Sequence, residues 1–157
     1  MQTRAANHVD ETYDIRILKD GTWLYAGTPI LRAPMVKLFS RVMSRDEKGD
    51  YWLITPYERG RIRVDDVPFL AVEAEGRGDD LWFRTNVDDW VMLGPEHPLR
   101  MSAEGVPYIF IRKGLEARVT RAVYYELVNR MVPSAETPDV FGIISNGTFF
   151  KLGDMQE

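Results

Sequence analysis

Two dipeptides that accept the positive φ of a tight turn, Asp20-Gly21 and Asn146-Gly147, each stand between short runs in which apolar and polar residues alternate. Alternation has the period of a β-strand, whose successive side chains point to opposite faces, and such a dipeptide folds one strand back on the next. Both ends of the chain are therefore committed to antiparallel pairing. The first pair predicts a hairpin over residues 14–26, and the second a closing hairpin in "VFGIISNGTFFKL". Between them, "YWLITP" and "RIRV" read as strands around "YERG", and "DDVPFLAVEAE" as a broken strand. "LWFRT" and "WVML" read as a hairpin around "NVDD", and "PYIFIR" as a buried strand. "GPEHPLRMSAEG" reads as loop.

Two stretches change to a helical period. From Pro34, a residue suited to the first helical turn, Met35, Leu38, Phe39, Val42 and Met43 recur on one side, with Lys37, Arg41 and Arg45 on the other. "DEKGD" ends that helix in a turn. A second helix is predicted over 115–131. On a wheel of about 100° per residue, Val119, Val123, Tyr124, Leu127, Val128 and Met131 form its packing side, while Arg118, Arg121, Tyr125 and Asn129 form the other. Arg112 and Lys113 fall just before this helix, where free N–H groups and the helix dipole favour an anion.

The segment "EGRGDD", residues 75–80, has two glycines, four charges and no apolar side chain, and it divides the chain into near-equal parts. The expected organisation is a frayed tail over 1–12, a subdomain over 13–75 and a second over 76–157. The halves echo each other. Trp23 precedes Gly27 by four positions, as Trp90 precedes Gly94, and "RAPMVKLFSRVM" parallels "RAVYYELVNRM". The expected class is α+β: two similar subdomains from a duplication, each a small, mostly antiparallel sheet with one amphipathic helix.

Composition closes off several functions. With 157 residues, 45% of them hydrophobic, the chain can bury a core. It has no cysteine, which removes disulfides, thiolate metal sites and a cysteine nucleophile, and favours a reducing compartment. No apolar run approaches the roughly 18–20 residues of a membrane helix, and the start lacks a signal-peptide pattern. A cytoplasmic location without membrane association is expected. A net charge of −4 argues against nucleic-acid binding through counterion release, so any anion site must be local.

Local chemistry is sparse. Thr55 and Glu58 in "TPYERGR", and Thr85 and Asn86 in "FRTN", place short polar groups beside charges, where they either orient a polar ligand or cap turns. The pairs Asp65-Asp66, Asp79-Asp80 and Asp88-Asp89 read as turns, because neighbours on a strand point apart and do not converge on a cation. His8 and His97 have no second histidine at metal spacing, so neither metal nor cofactor is expected. No nucleotide-binding or hydrolase signature is present. The arginines of 112–121 read either as a solvated face paired with Glu116 or Glu126, or as a ligand or partner site.

Taken in order, "DGTW", "MVKLF", "WLITPYE", "VDDVPF", "FRTN", "PYIFIRKGLEARVTR", "YYELV" and "SNGTFFKLG" resemble the bacterial domain-of-unknown-function family 1285 from about Asp14 to Gly153. The resemblance implies a duplicated α+β fold with a C-terminal half loosely like pleckstrin-homology folds. It implies no known activity, and a nucleotide-like ligand between the halves in signalling. The matching positions are Thr55, Pro56, Glu58, Thr85, Asn86, Arg112, Arg118 and Arg121. The expected function is regulatory binding of a small anion, held by Arg112, Arg118 and Arg121, faced by Tyr125, and oriented by Thr55, Glu58, Thr85 and Asn86. The alternatives are a module that docks a protein partner or a second copy, and, more weakly, a carboxylate-dependent hydrolase.

Overall fold

The computed structural model describes residues 10–154. The chain forms two units, 10–68 with 113–115, and 69–112 with 116–154. In the first, β1 (Asp10–Ile17), β2 (Trp23–Tyr25) and β3 (Thr28–Pro29) make one meander. Helix α1 (Ala33–Arg41) leads to a second, of β4 (Met43–Arg45), β5 (Tyr51–Ile54) and β6 (Arg59–Val64). The meanders join through β1 and β6, which pair in parallel, giving the order β3-β2-β1-β6-β5-β4.

The second sheet is built from β7 (Phe69–Arg77), β8 (Asp80–Thr85) and β9 (Trp90–Met92), followed by β10 (Leu99–Met101), β11 (Pro107–Arg112) and β12 (Leu115–Val119). Its order is β10-β11-β12-β7-β8-β9, with β12 and β7 parallel. The connectivity is that of the first sheet: the first strand of one meander lies parallel to the last strand of the next. Helix α2 (Arg121–Asn129) and a three-stranded sheet of β13 (Val132–Pro133), β14 (Val140–Ser145) and β15 (Thr148–Asp154) complete the chain.

Shared topology is what a duplication produces, but the sequence echoes do not trace it. α1 connects two meanders whereas α2 follows the second pair, and Trp23 opens the second strand of its sheet whereas Trp90 opens the third. Among the described residues the β13–β15 sheet has no counterpart in the first unit, and the pleckstrin-homology-like character expected of the C-terminal half is not confirmed.

The turn chemistry is local and specific. Asp20 Oδ1 accepts from the Thr22 amide at 2.9 Å, and Gly21 takes φ 91°. At the closing hairpin Asn146 and Gly147 both take positive φ, 52° and 68°, the conformation that keeps a two-residue turn in step with the strand twist. Asp46 organises the β4–β5 connection, its Oδ1 accepting from the Lys48 and Asp50 amides at 2.9 Å and its Oδ2 from the Trp52 indole at 2.8 Å. Fully buried Phe83, Leu93 and Ile109 anchor the second unit, each side chain contributing about 1.5–3 kcal/mol.

Five expectations change. Residues 10–12 belong to β1 rather than to a tail, while 1–9 lie outside the described residues. The glycine-rich stretch 75–80 serves the β7–β8 hairpin, with Gly78 at φ 63°, and the units divide at Pro68 and Phe69 rather than at 75 and 76. "GPEHPLRMSAEG" contains β10, which pairs with β11. The helix predicted over 115–131 begins only at Arg121. "LEARV" fits either period, and pairing of β12 with β7 buries Leu115, Ala117 and Val119 on one face. The earlier helix keeps its place but not its packing side: Ser40 is its buried residue and Phe39 stacks 6.2 Å from Trp23, while Met35 and Leu38 are exposed.

Candidate functional site

Thr120 ends β12 in an extended conformation and starts α2, its Oγ1 accepting from the Val123 amide at 3.4 Å. This abrupt change from strand to helix places Arg118, the last outward-facing side chain of the strand, near Arg121, the first residue of the helix. Val123 and Leu127 pin the helix down through its buried side. Arg118, Val119, Arg121, Tyr124 and Tyr125 then line one side of a recess of about 300 Å³, and Gly105, Val106 and Pro107 line the other. All of these residues belong to the second unit.

Arg118, Arg121 and Tyr125 thus do come together, though not as one helical face. The two tyrosine rings lie 6.1 Å apart with planes inclined at 53°, and Tyr125 is 57% exposed. Two guanidinium groups beside two aromatic faces match an anion attached to a flat body: charge-assisted hydrogen bonds hold the anion and a ring covers the body. Glu116, one acidic partner considered for these arginines, is engaged by Arg100 in a bidentate pair at 2.7 and 2.9 Å.

The other predicted residues are elsewhere. Arg112 closes β11 rather than preceding a helix, with its guanidinium 5.6 Å from the centre of the Phe69 ring. Thr85 is fully buried, and its Oγ1 accepts from the Val87 and Asp89 amides at 3.3 and 3.1 Å. Asn86 exchanges two hydrogen bonds with Leu70, donating its amide and accepting at Oδ1. Their polar atoms therefore support the start of β7 and the turn after β8. Thr55 closes its own turn, accepting from the Tyr57 and Glu58 amides at 3.2 Å. With Glu58 it lines a different recess, of about 440 Å³, in the first unit.

The Asp pairs do structural work. Asp65 holds Arg16 in a two-point pair at 2.8 Å, Asp80 Oδ1 accepts from the Asn146 amide at 2.9 Å, and Asp88 pairs with Arg84 at 2.8 Å. The shifted carboxyl groups move downward: Asp65 through its bond from Arg16, Asp46 through its bond from the Trp52 indole, and Asp20 through the Thr22 amide. Among the described residues no three His, Asp or Glu side chains gather as metal ligands.

The N-terminal domain model of the family, domain of unknown function DUF1285, matches residues 6–67, and its C-terminal counterpart matches 68–152. The chain belongs to the DUF1285 family. A crystal structure of a DUF1285 family protein from Silicibacter pomeroyi DSS-3 is similar at 40% identity with a TM-score of 0.84, covering 95% of this chain and 84% of that one. Another, from Shewanella baltica OS155, is similar at 28% identity with a TM-score of 0.63, covering 74% of this chain and 91% of that one. No curated protein matches. The DUF1285 domain models meet beside Pro68, where the units divide.

Sequence reasoning missed Tyr124, Gly105, Val106 and Pro107 in the recess and Tyr13 in the first unit. Tyr124 lies at the border of the two sides of the wheel, about 60° from both Leu127 and Arg121, and is half-buried, so the same residue serves the packing side and the recess. Gly105, at φ 84°, turns the loop between β10 and β11, and its presence in "SAEGVP" was the available signal. Tyr13 stands one residue before the hairpin predicted over 14–26, and its alternation with Ile15 and Ile17 was the available signal.

Proposed function

We propose that this DUF1285 protein is a regulatory binding protein whose second unit takes a small anion carried on a planar body, a nucleotide-like molecule being the best fit. The observation that carries the reading is the convergence of Arg118 from β12 and Arg121 from α2 on one recess beside Tyr124 and Tyr125. A volume near 300 Å³ lies at the small end of the range for small-molecule sites, about 300–1,000 Å³, which favours a mononucleotide over a larger cofactor. The hydrolase reading receives no help from electrostatics, since the displaced carboxyls move down, away from the raised value of a general acid.

The test is a thermal-shift panel of mononucleotides, their nucleosides and inorganic phosphate against the wild-type chain and an Arg118→Ala, Arg121→Ala variant. Binding to the native state raises Tm by mass action. The expected result is stabilisation by at least one mononucleotide, more than by its nucleoside, with affinity reduced about 10- to 100-fold in the variant. Equal stabilisation of both proteins, or of neither, counts against the reading.

A docking module is the second reading, and a separate observation favours it. Leu31, two residues before α1, is 89% exposed, and Leu38 and Met35 of α1 are 58% and 38% exposed. Sedimentation over a range of concentrations tests whether a second copy covers that stripe: a Leu38→Glu substitution then lowers the average mass, whereas a mass independent of concentration removes self-docking.

A further inference from the structure

The first unit carries a recess with the opposite chemistry. Its floor is apolar, formed by Ile15 of β1, Phe39 of α1 and Leu53 of β5. Its polar lining includes Tyr13, Asp14 and Glu58, and the lining contains no lysine or arginine. The position of Tyr13 is fixed from below: a Cβ on Gly60 would occupy the space of the Tyr13 ring, so the glycine is what allows the ring to lie against β6. From there the phenol donates to the Glu58 carboxylate. Burial, followed by that hydrogen bond and the Glu58 and Glu11 charges, pushes the Tyr13 hydroxyl up to about 12, so it stays a neutral donor at physiological pH. Asp14 has Arg63 at 3.9 Å, but both side chains are about two-thirds exposed, and such a pair is weak in water.

An apolar floor of about 440 Å³ rewards burial of an aliphatic or aromatic body. A rim carrying carboxylates and tyrosine rings rewards a positive charge, through charge-assisted hydrogen bonds and cation–π attraction. The same rim repels the anion proposed for the other unit. We propose that the recess of the first unit is a second binding site, selective for a small organic ammonium with an apolar body, in which Glu58 receives the ammonium and Tyr13 orients Glu58. This goes beyond the anion reading and does not depend on it.

The experiment uses the full chain and three probes of one shape: phenethylammonium, 2-phenylethanol and phenylacetate, titrated at pH 7 with binding read by NMR line shapes and shifts. Phenethylammonium is expected to saturate and to bind about tenfold or more tighter than the alcohol, while the carboxylate rim refuses phenylacetate. Glu58→Gln keeps an oxygen that accepts from Tyr13, so it is expected to preserve the fold while removing about tenfold of the ammonium affinity and little of the alcohol's. Asp14→Asn gives a second charge-neutralising variant in case Glu58→Gln unfolds. The ammonium is expected to shift amides at Tyr13, Ile15 and Glu58, and phenylacetate, an anion on a flat body, those at Arg118, Arg121 and Tyr124 instead, which separates this site from the other. The proposal is overturned if the ammonium fails to saturate by about 10 mM, where even a weak ~1 mM site would be largely filled. It is also overturned if the alcohol binds as well as the cation, or if neither carboxyl variant alters their ratio.

Discussion

Ser145 is fully buried, yet it carries a hydroxyl into the junction of two sheets. Its Oγ donates to the Leu93 carbonyl at 2.6 Å and accepts from the Leu81 amide at 2.9 Å. Ser145→Ala leaves both backbone groups unsatisfied away from water, so urea unfolding should show a loss of about 1–3 kcal/mol at unchanged m. A loss under about 0.5 kcal/mol, the range of an ordinary surface substitution, would mean that water replaces the hydroxyl there. Thr85 allows a sharper distinction. Thr85→Val keeps the shape but leaves the Val87 and Asp89 amides without their acceptor. The expected outcome is a stability loss of about 1–3 kcal/mol with nucleotide affinity unchanged; a selective loss of affinity would return Thr85 to the binding site. Gly142 is constrained differently, because a Cβ there would collide with the Phe150 carbonyl and the Phe149 ring. Backbone cannot step aside as a flexible side chain can, and Gly142→Ala should destabilise by about 1–3 kcal/mol or more in the same assay.

At the scale of elements, what the sequence made legible follows from how local each determinant is. The Asp20-Gly21 and Asn146-Gly147 hairpins were readable because two residues decide them. Strand β12 was not. "LEARV" alternates, but it also fits a helix, and only its distant partner β7 makes the strand the better solution. Strand β10 was equally hidden, since three residues in a proline- and glycine-rich stretch carry no period of their own. The candidate site shows the same division. Arg118, Arg121 and Tyr125 were named from a wrong local geometry that still put them on one side, whereas Gly105 and Pro107 enter through the β10–β11 connection, which no spacing announces. The start of α2 is the element on which the recess depends. Thr120→Ala removes the side-chain acceptor for the Val123 amide and should lower stability by about 0.5–2 kcal/mol, with Thr120→Ser recovering most of it. If the helix start positions Arg121, the alanine variant also loses anion affinity and the serine variant regains it.

For the whole molecule, two sheets share one connectivity, each with a central parallel pair, and differ in where the helix is attached. The repeated plan does not repeat the chemistry: one unit has a recess lined by arginines and the other a recess lined by carboxylates and tyrosines. The first unit holds three carboxyl groups in turns and an ion pair, and pH should reveal them. Asp20, Asp46 and Asp65 all have folded values below their ordinary 3.8. A depressed carboxyl contributes stability that is fully present above its unfolded pKa and disappears as pH falls through the lower folded value. Thermal melts should therefore be level with respect to these groups above about pH 5 and decline below about pH 4; Tm rising on acidification through that window would contradict the assignments. The central claim, an anion held by Arg118 and Arg121, is tested most directly by amide NMR during titration with adenosine monophosphate. The account predicts saturable shifts at Gly105, Val106, Arg118, Val119, Arg121, Tyr124 and Tyr125, lost in the Arg118→Ala, Arg121→Ala variant. Shifts that cluster elsewhere, or that survive the double substitution, would contradict it.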